Sequence, residues 1–312
     1  MSKVTIVIPV FNEEGNVISI IEELKKVFNT LPEIEFEIIF VDDGSTDKTL
    51  PIIQDFTYEN PKIFYISFSK NFGKDNALLA GFRYSKSDAV ITMDADLQHP
   101  PSLITELING WRQGYDVVYA YRKEENHYAR FLTRISSKLF YSTVNAFSDV
   151  KMENGISDFK LIDKKVVKVI NSLPEDGLFL RGILKWVGFK QKPICYEPME
   201  RFSGNTKYNL SSLIHLATHG LTSFSTRPLT FAIYLGFFFS MISLLYIPYV
   251  FLSFYYHLER PGWASIISTI VFFGGLQLMI LGIIGLYLGK TFIQGKHRPR
   301  YIIQLSNLES IA

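Results

Sequence analysis

The stretch VITMDADLQHP, Val90 to Pro100, decides how the rest of the chain reads. It opens on an apolar run suited to a buried strand and breaks into Asp94, Asp96 and Gln98, spaced i, i+2, i+4. In extended backbone alternate side chains face one way, so the three groups can converge on one point. Crowded carboxylates repel unless a proton or a cation relieves them, and the stretch contains no lysine or arginine. Hard divalent ions such as Mg²⁺ or Mn²⁺ take this all-oxygen ligand set. On spacing alone, an acidic turn capping the next helix remains an equal alternative.

Working outward, residues 1 to about 120 alternate in a βα rhythm. Strand-like apolar runs stand at 4–10, 36–41, 62–68, 88–93 and 116–121, with helical stretches between them. The pattern predicts an α/β domain with a mostly parallel sheet covered on both faces. Ligands of such sheets sit beyond the carboxyl ends of the strands. Those ends are polar here: PVFNEEGN, VDDGSTD, SFSKNFGK and DADLQ follow one another along the chain. No GxGxxG follows the first strand and no GxxxxGK[ST] occurs, so neither a dinucleotide fingerprint nor a P-loop is supported. An acidic site that binds phosphates needs a bridging cation, which favours the metal alternative for Asp94, Asp96 and Gln98.

The bulk numbers narrow the partners. With 312 residues and a net charge of +2, the chain offers ample core and no basic surplus for nucleic acid. One cysteine, Cys195, excludes an intramolecular disulfide framework, and the six histidines form no HExxH pair. The first residues run straight into a strand pattern, so no signal peptide is expected and the catalytic part is placed in the cytoplasm. Two long runs, Pro228–Leu258 and Pro261–Gly289, contain no Asp, Glu, Lys or Arg. Each exceeds the roughly 20 residues needed to cross a bilayer. Tyr255, Tyr256, Trp263 and Tyr287 stand near their ends as interface anchors do. Arg227 precedes the pair and Lys290, Lys296, Arg298 and Arg300 follow it, which puts both termini on the cytoplasmic side. The expected organisation is a catalytic domain over 1–226, a two-helix transmembrane hairpin over 227–290 and a cytoplasmic tail over 291–312. Within the first, HYARFLTRISSKLFYSTVNAF (127–147) sets Arg130, Arg134 and Lys138 on one face beside an apolar one. It reads as an interfacial helix on the lipid bilayer, with 209–224 as a second. Ordinary helices packed on the sheet are the alternative.

Together, VTIVIPVFNEE, VDDGSTDKT, DADLQHPP and RFSGNTKYN resemble the inverting family 2 glycosyltransferases of GT-A fold. More narrowly, the chain resembles the membrane-anchored polyprenyl-phosphate glycosyltransferases, relatives of dolichyl-phosphate mannose synthase that include the undecaprenyl-phosphate (bactoprenol) glucosyltransferases. SFSKNFGKDNALLAGF, GLFLRGILKWVGF, LTSFSTRPL and KHRPRYII carry the likeness across about residues 4–304.

The resemblance implies a reaction: transfer of a hexose, best guess glucose from UDP-glucose, to undecaprenyl phosphate with inversion. UDP-GlcNAc, UDP-galactose, GDP-mannose and a UDP-aminoarabinose remain open as donors. It implies that Pro9, Glu13, Asp42 and Asp43 line the nucleotide, that Lys74 lies near the diphosphate, and that Ala95 sits with Asp94 in the donor site. Asp94, Asp96 and Gln98 would hold Mg²⁺ or Mn²⁺, with Asp96 also catalytic. Asp158, in NGISDFKLID, is the candidate catalytic carboxylate on the acceptor side, as an orienting group or a base of modest effect. Arg122, Arg201 and Lys207 would meet the acceptor phosphate. Glu13 also suits a first-turn helix acid, Asp47 a helix cap, and Lys74 a solvated loop lysine. The implied setting is a bacterial inner membrane, multi-pass, with a homo-oligomer and a flippase as candidate partners.

Three positions depart from the family pattern: Thr206 in place of Ser, Lys160 in place of Arg, and Leu286 in place of Glu. The QxxRW motif of a processive polysaccharide synthase is absent. A nucleotide-sensing scaffold without activity is the non-enzymatic alternative, and the intact acidic triplet argues against it.

Overall fold

The computed structural model describes residues 1–122, 156–175, 180–196, 227–256 and 262–308. Arg201, Lys207 and the helices expected at 127–147 and 209–224 lie outside the described residues. The rest divides into two compact units, one built on a sheet and one on two long helices.

The sheet has eight strands in the order β7-β5-β6-β4-β1-β2-β3-β8. At its centre β1 (Ser2–Val10) pairs in parallel with β2 (Ile34–Asp42) and β4 (Ala89–Thr92). β2 continues in parallel to β3 (Ile63–Phe68). β1 is buried from Val4 through Ile8, which a strand of β-branched residues tolerates only when both faces are covered. Helices supply the cover. α1 (Val17–Asn29) buries Val17, Ile20, Ile21, Leu24 and Val27, one stripe at helical spacing. α2 (Thr49–Glu59), α3 (Lys74–Tyr84) and α4 (Leu103–Arg112) complete the crossovers. α3 lies close on β1, because a Cβ on Gly81 would stand 2.2 Å from Val7 Cγ1.

All five strands expected from the sequence are present. β5 (Val117–Arg122) is the last of them, and the sheet goes further. β6 (Ile156–Asp163) inserts antiparallel between β4 and β5, so the sheet is mixed although mostly parallel. β7 (Gln191–Tyr196) runs parallel to β5 at one edge. Between β6 and β7 lie α5 (Lys164–Ser172), capped by Asp163, whose carboxylate accepts from Lys165 N–H, and α6 (Leu180–Trp186). At the opposite edge β8 (Ile303–Ser306) pairs antiparallel with β3. The stretch read as a tail thus contributes a strand to the catalytic sheet.

The second unit holds α7 (Arg227–Tyr255) and α8 (Trp263–Gln294), which meet through Phe239 against Phe272 and Phe273. Among the described residues one helix is long and apolar enough to cross a membrane, over Ser265–Gln294 with mean hydropathy 2.2. The sequence predicts two such spans. Within α7 the described apolar stretch is Leu229–Ile242.

Candidate active site

The parallel strands bring their carboxyl ends to one edge of the sheet, where the polar loops gather. At the end of β1, Pro9 stands opposite Val41 and Asn12 takes a positive φ of 55°. That turn lets the Asn12 side-chain oxygen accept from Thr46 N–H while Asn12 N–H donates to Ser45 Oγ. Glu13 accepts from Asn16 Nδ2 at 2.6 Å, so its carboxylate serves the start of α1. Asp47 accepts from the N–H and the hydroxyl of Thr49, the first residue of α2, as the capping alternative expects.

Asp42 and Asp43 divide their work. Asp42 accepts from Ser67 Oγ at 2.7 Å and Ser45 N–H at 3.0 Å. Asp43 takes the N–H groups of Phe72 and Gly73, at 2.6 and 2.9 Å. Burial pushes its carboxyl up against the pull of those two donors. Gly44 has φ of +74°, and a Cβ there would lie 2.5 Å from the Lys70 carbonyl carbon. The VDDG turn therefore clasps the loop after β3 and fixes where α3 begins. Lys74, the first residue of α3, is placed by that clasp.

Beyond β4, Asp94 and Asp96 flank the buried Ala95. Leu97 adopts a positive φ of 57°, and Gln98 N–H donates to Asp96 Oδ1 at 3.2 Å. His99 is buried beneath, sharing a hydrogen bond of 2.5 Å with Ser157 Oγ, and burial lowers its pKa. The β4–β6 register pairs Thr92 with Lys160. Two residues beyond that pair come Asp94, after β4 has ended, and Asp158 on β6, and one lysine reaches both.

Lys74 answers that juxtaposition of like charges. Its Nζ lies 2.6 Å from Asp94 Oδ1 and 2.9 Å from Asp158 Oδ2. The cation missing from the acidic stretch in sequence is supplied in space by α3. Partial burial disfavours the ammonium, but the Asp94 and Asp158 carboxylates outweigh it and hold the Lys74 pKa raised.

Asp158 is caged. Arg181 donates Nε to Oδ1 and Nη2 to Oδ2, both at 2.8 Å, and Lys160 Nζ stands 3.8 Å away. Burial opposes its charge, yet Lys74, Arg181 and Lys160 hold the carboxyl well below the usual range. Lys160, itself buried, is lowered by desolvation against the pull of Asp158. Asp75, beside Lys74, is pushed up to about 6 by burial and by the Asp158 charge. Arg122 ends β5 opposite Tyr196, on the same sheet edge as Asp94.

Sequence reasoning did not single out Arg181 or Asp75. Each had a signal: Arg181 is a charge inside the apolar GLFLRGILKWVGF, and Asp75 follows a lysine at a helix start. Among the described residues no three His, Cys, Asp or Glu side chains gather as a metal cluster. The set at the acidic turn is two carboxylates and an amide.

Residues 5–170 match the family Glycosyl transferase family 2. The chain belongs to this family. It is a glycosyltransferase, and relatives extend the match over nearly its full length. The bactoprenol glucosyl transferase of Shigella phage SfV is 40% identical over 303 residues, covering 97% of this chain and 98% of that protein. A prophage bactoprenol glucosyl transferase homolog of Escherichia coli (strain K12) is 39% identical over 303 residues, with the same coverage of each. Among solved structures, mannosyltransferase PcManGT from Pyrobaculum calidifontis, in complex with GDP-Man and Mn²⁺, aligns with a TM-score of 0.51. The alignment covers 71% of this chain and 63% of that one at 13% identity, and so shows a shared fold. The sheet of this glycosyltransferase is GT-A-like, with the Asp94–Lys74–Asp158 bridge at its loop-bearing edge.

Proposed function

We propose that this glycosyltransferase moves glucose from UDP-glucose to undecaprenyl phosphate with inversion, giving a β-linked lipid-phosphate sugar. The observation that carries the reading is the pair of facing carboxylates, Asp94 and Asp158, bridged by Lys74. One belongs to an acidic turn suited to a diphosphate-bound cation. The other stands in a cationic cage suited to an incoming phosphate. The 39–40% identity to bactoprenol glucosyl transferases over nearly the full chain supports the acceptor class.

On the donor side, Pro9, Asp42 and Asp43 shape the nucleotide pocket. Asp42 and Asp43 act mainly through the loops they hold, since Ser45, Ser67, Phe72 and Gly73 already occupy their oxygens. Asp94, Asp96 and Gln98 present oxygen ligands at a partly exposed turn, which fits a hard divalent cation. When bound, Mg²⁺ or Mn²⁺ neutralises the leaving diphosphate. Lys74 adds a positive charge at the same place.

On the acceptor side, a phosphate monoester has a second pKa near 6 and is largely dianionic around pH 7. It needs little help from a base. Asp158 is poorly suited to be one, because its cage favours the ionised form. Its role is to orient Arg181 and Lys160 toward the phosphate. Arg122, Arg201 and Lys207 complete the anion site. α8 anchors the chain, and α7 is proposed as a second span, with the catalytic unit and both termini facing the cytoplasm of a bacterial cell.

The test is transfer of labelled sugar from a panel of nucleotide-sugars into an organic-extractable lipid, with undecaprenyl phosphate and Mg²⁺ or Mn²⁺ supplied. Label from UDP-glucose alone, lost with EDTA and in Asp96→Asn, supports the reading. Label from another donor reassigns the sugar, and no label from any donor with folded protein overturns the reaction. Asp158→Asn is expected to keep more activity than Asp96→Asn. The reverse order would overturn the orienting role.

A further inference from the structure

Lys74 touches both halves of the site, and the two carboxylates depend on it unequally. Asp158 has Arg181 on both its oxygens and Lys160 nearby. Asp94 pairs, among the described residues, with Lys74 alone. The backbone at Lys74 is fixed by the hydrogen bonds that the N–H groups of Phe72 and Gly73 donate to Asp43, but its side chain is 40% exposed. Its ammonium ends a flexible four-carbon stem and can turn without moving α3.

This has a consequence for the donor site proposed above, on which the inference rests. An ammonium at contact distance from Asp94 Oδ1 and a divalent cation on the same carboxylate repel strongly in a partly buried site. A diphosphate arriving beside Lys74 offers the ammonium a partner of higher charge than Asp94. We propose that Lys74 is an exchangeable counterion. It holds Asp94 while the nucleotide is absent, and the diphosphate draws it away and opens that carboxylate to the divalent cation. Metal and nucleotide diphosphate then bind cooperatively, because each removes the same obstacle. The coupling is reciprocal, since linkage requires each ligand to strengthen the other by one factor.

The test is Mn²⁺ binding to the full-length protein in detergent, read by the electron paramagnetic resonance signal of free Mn²⁺. It is run with and without UDP and corrected for the Mn²⁺–UDP complex in solution. In the wild type UDP is expected to strengthen Mn²⁺ binding about tenfold or more. Lys74→Met is expected to bind Mn²⁺ alone about tenfold tighter than the wild type, and the UDP enhancement should shrink. Lys74→Arg keeps a cation at the position and should behave as the wild type. If Lys74→Met does not fold, Lys74→Gln carries the same measurement. Equal Mn²⁺ affinity of the wild type and the neutral variant, with binding still lost in Asp96→Asn, overturns the exchange and leaves the donor site standing. Binding that Asp96→Asn does not disturb overturns the donor site and the exchange together.

Discussion

Arg181 meets Asp158 as a fork, with Nε on one carboxylate oxygen and Nη2 on the other, each at 2.8 Å. The planar guanidinium fixes the carboxylate plane, which a lysine at the same place would not do. Thr92 Oγ1 donates to the Asp158 carbonyl, so the backbone of β6 is tied to the end of β4 as well. Asp158 is therefore held in position and in charge.

Replacing Arg181 tests both. Arg181→Ala is expected to lower kcat/KM about 100-fold, in line with truncating one partner of a hydrogen-bonded charge pair whose other member, Asp158, is largely buried. Arg181→Lys should recover only part of that loss, because it restores charge without the fork. The pH profile separates this from simple misfolding. The folded-state pKa of Asp158 is depressed, so its stabilising contribution is present above the unfolded value of 3.8 and lost as pH falls below it. The wild type should show no acidic limb from Asp158 between pH 5 and 8. Arg181→Ala, with one cation fewer, should move that ionisation upward.

Asp75 behaves in the opposite sense. Its pKa of about 6 lies above the unfolded value of 3.8, so the folded state prefers the protonated acid. The stability this gives is complete below about pH 4 and is lost as pH rises through 6. At neutral pH the buried charge is a cost. Asp75→Asn removes it, and is expected to stabilise the protein by about 2 kcal/mol at pH 8, with the gain shrinking toward pH 4. Thermal unfolding of both proteins at pH 5 and pH 8 measures this. An equal shift at the two values would show that the effect is not electrostatic.

Gly81 sets how closely α3 lies on β1. A Cβ there would be 2.2 Å from Val7 Cγ1, deep in the core. The better helix propensity of alanine, about 1 kcal/mol, competes with overpacking of about 1–3 kcal/mol. With backbone on one side and a fully buried valine on the other, overpacking wins. Gly81→Ala should destabilise by about 1–2 kcal/mol in chemical denaturation. Adding Val7→Ala should cost less than the sum of the two single changes, because the clash is then relieved.

How far the sequence could be read follows from where the information lies. The five strands from β1 to β5 were legible because each is a local run of β-branched residues ending in polar loops. The acidic turn was legible because Asp94, Asp96 and Gln98 are neighbours in the chain. β6 was not, since ISDFKLID mixes charges into the strand, and those charges make sense only beside Lys74 and Arg181. The counterion of Asp94 was missed for the same reason: Lys74 is 20 residues away in sequence and 2.6 Å away in space. Two membrane spans are legible from the absence of charge over 228–258 and 261–289, and among the described residues one helix, over Ser265–Gln294, has the length and apolarity to cross a membrane.

The final strand was also hidden, because IQLS is short and follows a basic segment that suits a tail. Its contacts are specific. Tyr301 stacks on Phe68 with ring centroids 4.9 Å apart, and Arg300 Nη2 donates to the Leu173 carbonyl. Asn307 accepts from Tyr65 N–H at 2.7 Å, and Ser69 N–H donates to the Ile302 carbonyl at 3.0 Å. A stack is worth about 1 kcal/mol and each hydrogen bond about 1 kcal/mol. Ending the chain after Pro299 is thus expected to cost about 2–4 kcal/mol and to lower the melting temperature by several degrees. It would also bare the backbone of β3, an open edge prone to pairing with other chains. Thermal unfolding with light scattering reads both effects. Tyr301→Ala should lower stability without the added scattering, because it removes the stack and leaves β8 on the edge. If the truncated chain melts like the full one and stays monodisperse, the strand is an ornament on β3. If it aggregates while Tyr301→Ala does not, edge protection is the larger of its two roles.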